Sequence, residues 1–309
     1  MQVEWSSSAT LLNGNIASLA TAACIAAVCF IWRKCSVTLA APAPRVPLKK
    51  ATCDELYISA SRACQHGNVG DSLRLGDSVL HLHGIVADAE CQLLIQEANV
   101  AAEVRRQVRA RAGAFASRQP RFRMPVANFL STTTGTLSLA DEILRRALVR
   151  IADAMGPEWV SERLGEATES CERCIIGSST LQFSEGEPAI NVYHPGGEFL
   201  PHEDKQRLTI LIALSDAASG AFSGGGTAFW SEEDRGPDGS NAKTVPPTRT
   251  VHAPAGTALI FCGVVTHGAL PVVSGQRTVF VASFGPRGQD YRRASRLSRL
   301  RAAVGRLLP

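Results

Sequence analysis

Residues 191–215, NVYHPGGEFLPHEDKQRLTILIALS, set a turn-rich polar stretch against an almost unbroken apolar run. Leu208–Leu214 reads as a buried strand, because it is short, rich in branched residues and bounded by polar ones. The same texture recurs on both sides. Thr180–Phe183, Ala189–Tyr193, Thr227–Trp230, Ala258–Val265 and Thr278–Phe284 are short apolar segments separated by Gly, Pro and Asp turns. Residues 231–250, SEEDRGPDGSNAKTVPPTRT, break the series and read as a long loop. Strands of this length and spacing predict a sandwich or barrel. Upstream the period is helical. A strand-like run Ser78–Val86 precedes a helix predicted from Asp88, as its cap, to about Val108, with arginines gathered late. Leu139, Ile143, Leu144, Leu148 and Ile151 predict a second helix over Ser138–Met155. Helices followed by many short strands make the class α+β.

The chain of 309 residues is 45% hydrophobic and 19% charged, with 26 Gly and 16 Pro and no internal repeat, which excludes collagen-like, disordered and solenoid classes. Its formal charge of +4 is a sum of unlike parts. Residues 103–123 carry seven arginines against Glu103, residues 287–309 seven against Asp290, and residues 1–50 five basic side chains against Glu4. The rest of the chain is therefore strongly acidic, and no nucleic-acid partner is expected. Ile16–Trp32, IASLATAACIAAVCFIW, is uncharged and just long enough to cross a bilayer, with Trp32 at the interface and Arg33 and Lys34 beyond it. A single-pass membrane anchor is expected there, the endoplasmic reticulum being the favoured membrane and a cleaved signal the alternative. The tail YRRASRLSRLRAAVGRLLP spaces Leu297, Leu300 and Val304 among arginines, the pattern of a basic amphipathic helix that docks on the acidic body or on an anionic surface.

Several cysteines and histidines form short motifs. Cys171 and Cys174 make a CxxC with no second pair, which favours a disulfide or two free thiols over zinc. His81 and His83 share one face of their strand without a third ligand nearby, so a solvated strand face is expected. His202 and Asp204 also stand at i and i+2, and on a strand both side chains turn to one point while Glu203 turns away. One imidazole and one carboxylate are two-thirds of the 2-His-1-carboxylate set that holds Fe(II) and leaves positions open. His267 ends the apolar strand TALIFCGVVTH and supplies the third member. Ten residues on, Arg277 opens the strand RTVFVASF after a Ser-Gly-Gln turn, and a hairpin would bring it beside the strand of His267. A buried arginine there can fork two hydrogen bonds onto a carboxylate, so metal and arginine together suggest a bifunctional acid bridging them. A surface hairpin charge is the plainer fate of such an arginine.

These residues resemble a known family. NVYHPGGEFLPHEDKQRLTILIALSD, GGGTAFW and PAGTALIFCGVVTHGALPVVSGQRTVFVASF are similar, in order and spacing, to the prolyl 4-hydroxylase-like branch of the iron(II)/2-oxoglutarate-dependent dioxygenases. The resemblance implies a double-stranded β-helix, a jelly-roll or cupin-like barrel, supported by N-terminal helices. It divides the chain into an anchor with flanks at 1–35, a linker at 36–70, one dioxygenase domain at 71–286 with its core at 180–286, and the basic tail at 287–309. It implies His202, Asp204 and His267 as iron ligands and Arg277 as the residue gripping the distal carboxylate of 2-oxoglutarate. Tyr193 matches a family tyrosine that helps hold that cosubstrate, and a buried barrel aromatic is the equal alternative. Hydroxylation of a C–H bond with O2, giving succinate and CO2, follows from the resemblance, as does an expected use of ascorbate. The implied substrate is a peptide or protein, peptidyl proline or another side chain. The alternatives are a small molecule, or a catalytically silent barrel that binds peptide.

Overall fold

The computed structural model describes residues 52–59, 69–111, 120–128, 134–165, 175–204, 206–235 and 240–288. The chain divides into two units, Met1–Pro47 and Leu48–Pro309, and all described residues lie in the second. The expected anchor at 16–32, the CxxC of Cys171 and Cys174, and the tail from residue 289 on fall outside the described residues. Among the described residues no helix is long and apolar enough to cross a membrane.

Among the described residues fourteen strands form in chain order. They are β1 (Cys53–Tyr57), β2 (Ser78–Leu82), β3 (Arg121–Pro125), β4 (Leu181–Phe183), β5 (Ala189–Tyr193), β6 (Phe199–His202) and β7 (Leu208–Ala213). Then come β8 (Phe222–Gly224), β9 (Thr227–Trp230), β10 (Arg249–Val251), β11 (Ala258–Cys262), β12 (Thr266–Ala269), β13 (Val272–Gly275) and β14 (Arg277–Pro286). A large sheet runs β1-β2-β11-β7-β14-β5-β3 with β4 paired to β14, and a smaller one runs β10-β9-β12-β6. From β5 onward the chain passes back and forth between these two antiparallel sheets, which is the winding of a double-stranded β-helix.

Period-two alternation explains why the large sheet holds two cores. Ile210 and Ile212 of β7, and Phe280, Ala282 and Phe284 of β14, turn outward into a core shared with the helices. Leu211 and Ala213 of β7 turn inward with Leu259, Phe261 and Val279 to fill the barrel. Strands covered on both faces read as continuous apolar runs, which is why Leu208–Ala213 contains one polar residue, Thr209. The helix Thr134–Met155 supplies Ile143, Leu144, Ala147 and Ile151 to the outer core at helical spacing. The buried carboxylate of Asp141 accepts the N–H groups of Ile175 and Ile176 at 2.7 and 2.9 Å, tying the chain that enters the barrel to this helix. The helix Asp88–Arg111 is three residues longer than expected. Its N-terminus is capped by Glu90, which accepts the N–H of Ala87 at 3.0 Å, rather than by Asp88. Arg146 then forks onto Glu90 at 2.7 and 2.9 Å and joins the two helices.

Three expectations differ from the structure. Cys53–Tyr57, within the stretch read as a linker, is a strand paired along its whole length with β2. Leu56 and Ile58 face the barrel core, and two apolar positions are too few to raise a periodic signal. The loop at 231–250 holds a single helical turn, Glu232–Arg235, a 3₁₀ turn, Ser240–Lys243, and the start of β10. His81 is buried rather than on a solvated face, because it shares the barrel-facing side of β2 with Val79 and lies opposite Leu259 of β11.

Candidate functional site

His202 closes β6 and faces His267 of β12 in strand register, the rings 4.3 Å apart. Asp204 lies two residues past His202, just outside the strand, yet its carboxylate still turns to the same point. His202 Nε2 stands 3.6 Å from one Asp204 oxygen and His267 Nε2 3.7 Å from the other. One ligand atom from each of the three lies within 4.8 Å of the others. Backbone contacts draw this loop in. A side chain at Gly263 would place its Cβ 1.9 Å from the Gln206 carbonyl oxygen, so glycine lets the turn after β11 pass close beneath Asp204.

Each imidazole is oriented from behind. His202 Nδ1–H donates to the Leu200 carbonyl at 2.9 Å, and His267 Nδ1–H to the Val265 carbonyl at 3.1 Å. That fixes the tautomer which leaves both Nε2 lone pairs facing Asp204. Burial and the neighbouring His267 push the His202 pKa down to about 4, so the ring is neutral at physiological pH. The Thr209 hydroxyl, buried on β7, donates to the second Asp204 oxygen. Two imidazole Nε2 atoms and an oriented carboxylate converging on one point fit a divalent first-row metal.

The second element of the site lies deeper. Arg277 is 5% exposed, and its Nη2–H donates to the Thr227 hydroxyl at 2.8 Å. It pairs in register with Tyr193, itself 2% exposed, and its guanidinium carbon sits 5.4 Å from the tyrosine ring. Desolvation lowers the Arg277 pKa and raises that of Tyr193. Among the described residues no carboxylate forms an ion pair with Arg277, an arrangement that buries a cation and calls for an anion from outside the chain. The expected hairpin from His267 to Arg277 does not form. The intervening β13 pairs with β8, which carries the chain out of the small sheet, and β14 then enters the large one. Arg277 therefore stands on the large sheet, opposite Tyr193 of β5, while the paired His202 and His267 stand on the small one.

All five expected site residues thus line one barrel interior. Thr209, Thr227 and the ring of Phe199, 4.2 Å from His202, join them unannounced. A lone hydroxyl inside an apolar strand was the available signal for Thr209. His194 is half-buried and His252 exposed, and neither joins the cluster among the described residues. Leu211, Phe229, Phe261 and Val279 close the interior with apolar surface.

Residues 188–284 match the sequence model described as the 2OG-Fe(II) oxygenase superfamily. Solved structures similar to this chain include the viral collagen prolyl hydroxylase vCPH from Paramecium bursaria Chlorella virus-1 in complex with 2OG, at 19% identity and a TM-score of 0.38, covering 70% of this chain and 98% of that one. A Pseudomonas putida prolyl-4-hydroxylase is 15% identical, with a TM-score of 0.38 over 71% of this chain and 98% of its own. HygX from Streptomyces hygroscopicus, with nickel and 2-oxoglutarate bound, is 12% identical, with a TM-score of 0.43 over 71% and 85%. No curated protein matches the chain.

Proposed function

Because residues 188–284 match the 2OG-Fe(II) oxygenase superfamily model, we propose that His202, Asp204 and His267 hold an iron and that Arg277, with Thr227 and Tyr193, seats the far carboxylate of 2-oxoglutarate. The observation that carries this reading is a cluster of two imidazoles and a carboxylate together with a buried arginine that has no carboxylate in ion-pair contact among the described residues, both in one barrel. With iron and 2-oxoglutarate bound, the pair supplies oxidation of a substrate C–H by O2, with 2-oxoglutarate leaving as succinate and CO2. The chain's own residues bind and orient. The carbonyls of Leu200 and Val265 hold the imidazole tautomers, Thr209 aims the carboxylate, and the guanidinium fork fixes one end of a dicarboxylate while apolar walls exclude water.

The substrate is a peptide segment, with prolyl the first residue to test. Leu200, 59% exposed and two residues before His202, offers an apolar contact near the ligand cluster for such a side chain. The run at 16–32 would tether the domain to a membrane. Incubating the purified protein with Fe(II), 2-oxoglutarate, ascorbate and a proline-containing peptide library should yield succinate and a +16 Da product. Arg277→Gln should raise the 2-oxoglutarate concentration needed for half-maximal succinate formation by about a hundredfold, since a buried charged pair is lost. Succinate formation insensitive to this change would refute the assignment of the cosubstrate seat.

A further inference from the structure

The Arg-rich stretch at 103–123 sorts into side chains with and without anionic partners. Arg106 pairs with Glu103, and Arg123 reaches Glu187 at 2.7 Å. Arg121 has no carboxylate in ion-pair contact among the described residues. It is half-buried, and desolvation lowers its pKa. Its position is built into the fold. β3 pairs with β5 so that Arg121 lies opposite Tyr193 and on the same face, toward the barrel. His194 N–H donates to the Pro120 carbonyl at 2.8 Å, and that carbonyl sits where a Cβ on Gly197 would come within 2.2 Å. The turn between β5 and β6 is thereby locked against the start of β3. The Arg121 guanidinium carbon rests 3.6 Å above the Phe199 ring, which also touches the ring of His202 and packs against the barrel core. At that separation the ring occupies one guanidinium face, and the N–H donors point outward from its edge, free to fork onto an oxygen pair.

Charge points the same way. A divalent metal, the Asp204 carboxylate, a dicarboxylate and Arg277 together sum to zero, so Arg121 remains an uncompensated cation at the rim of the site. We propose that Arg121 is a specificity-determining residue that binds a carboxylate on the substrate, so that the preferred substrate is an acidic peptide segment. The placement rests on the dioxygenase reading of the same site. The guanidinium is one aromatic ring removed from His202, which sets the bound carboxylate within a residue or two of the oxidised position. Arg277 differs in being sealed in the interior, where it reaches the cosubstrate and not the substrate.

The test uses the full chain with Mn(II) and 2-oxoglutarate, fluorescently labelled pentapeptides and anisotropy as the binding readout. Two peptides, Ac-Ala-Glu-Pro-Glu-Ala-NH2 and its Gln counterpart, differ only in charge. A third probe, N-acetylproline, carries a carboxylate without a peptide. The acidic peptide should bind about tenfold or more tightly than the amide, with the gap narrowing at high salt. Arg121→Gln should bring the ratio to within about twofold, and Arg121→Lys should restore it only in part, since lysine keeps the charge but not the fork. A ratio near one in the unaltered protein, or one that survives Arg121→Gln, overturns the proposal. So does a tenfold rise in the 2-oxoglutarate requirement with the ratio unchanged, which would move Arg121 to the cosubstrate. Competition by N-acetylproline as strong as that of the acidic peptide would overturn the peptide class. If the dioxygenase reading itself is wrong, succinate is absent from every variant while the binding ratio still reports on Arg121.

Discussion

Two pairs of histidines lie on strands of this barrel, and only one pair converges on a carboxylate inside it. His81 and His83 of the β2 segment meet edge to face at 5.4 Å, while His202 and His267 meet at 4.3 Å. Burial, reinforced by the neighbouring imidazole, pushes both His81 and His202 down to about 4. In basicity the two are alike, although His81 is buried and His202 half-buried. They differ in what lies behind and in front of the rings. In the second pair each Nδ1 is held by a backbone carbonyl two residues back, and each Nε2 faces an oxygen of Asp204. In the first pair His81 Nε2 is buried without a hydrogen-bond partner, while His83 donates outward to Asp54 on the exposed start of β1 at 3.1 Å. The candidate metal site here is distinguished by a shared carboxylate and a fixed tautomer, and a depressed pKa accompanies it without causing it.

The comparison breaks most severely at Asp204. Asp204→Ala removes the carboxylate that both Nε2 atoms face, which makes the second pair resemble the first. Iron bound per chain, measured after gel filtration, should fall from one to below a tenth, and succinate formation should drop by about a thousandfold or more. Retention of stoichiometric iron would mean that the carboxylate is not the element that distinguishes the pairs. A smaller step keeps the carboxylate but loosens it. Thr209→Val removes the hydroxyl that donates to Asp204 while keeping nearly the same shape in a buried site. Outer partners of this kind typically carry 10–100-fold in metal affinity. Metal titration should therefore show a loss of about that size with an unchanged far-ultraviolet spectrum, and an unaltered affinity would assign Thr209 to packing alone.

How much of this was legible beforehand follows from the range of each interaction. Leu208–Ala213 is a local pattern and forms a strand as read, whereas Asp204 converges with His202 although β6 ends before it. The apolar run before His267 was legible too, but it breaks after Cys262 into β11 and β12, and His267 stands on the second of these, in the other sheet. The route to Arg277 was not. β13 leaves for β8, some fifty residues away in sequence, so the apparent hairpin is a crossing between sheets. β1 went unseen because its partner supplies the register and its own apolar positions are few. Arg121 was hidden in a run of seven arginines, and only the pairing of β3 with β5 separates it from the others. His81 was misplaced for a related reason. Its strand looks half-polar, and nothing local says that this face turns into the barrel opposite Leu259.

That buried His81 provides the finest test of the comparison. In the unfolded chain its imidazole takes a proton near the ordinary value of about 6.5. In the folded chain it does so only near 4, because burial and His83 disfavour the charge. Between those values the unfolded state binds the extra proton, so stability falls as pH drops from about 6.5 toward 4. His81→Leu removes that linkage, and with it a buried nitrogen that has no partner. Urea unfolding of both proteins at pH 7 and pH 5 isolates the effect, since His202 titrates alike in each. The variant should gain about 1–2 kcal/mol relative to the parent on going from pH 7 to pH 5. Both should still bind one iron per chain at pH 7, because the first pair never offered a third ligand. Parallel pH curves would show that the His81 ring is solvated when folded, and a loss of iron on substitution would mean that the two pairs are not separate after all.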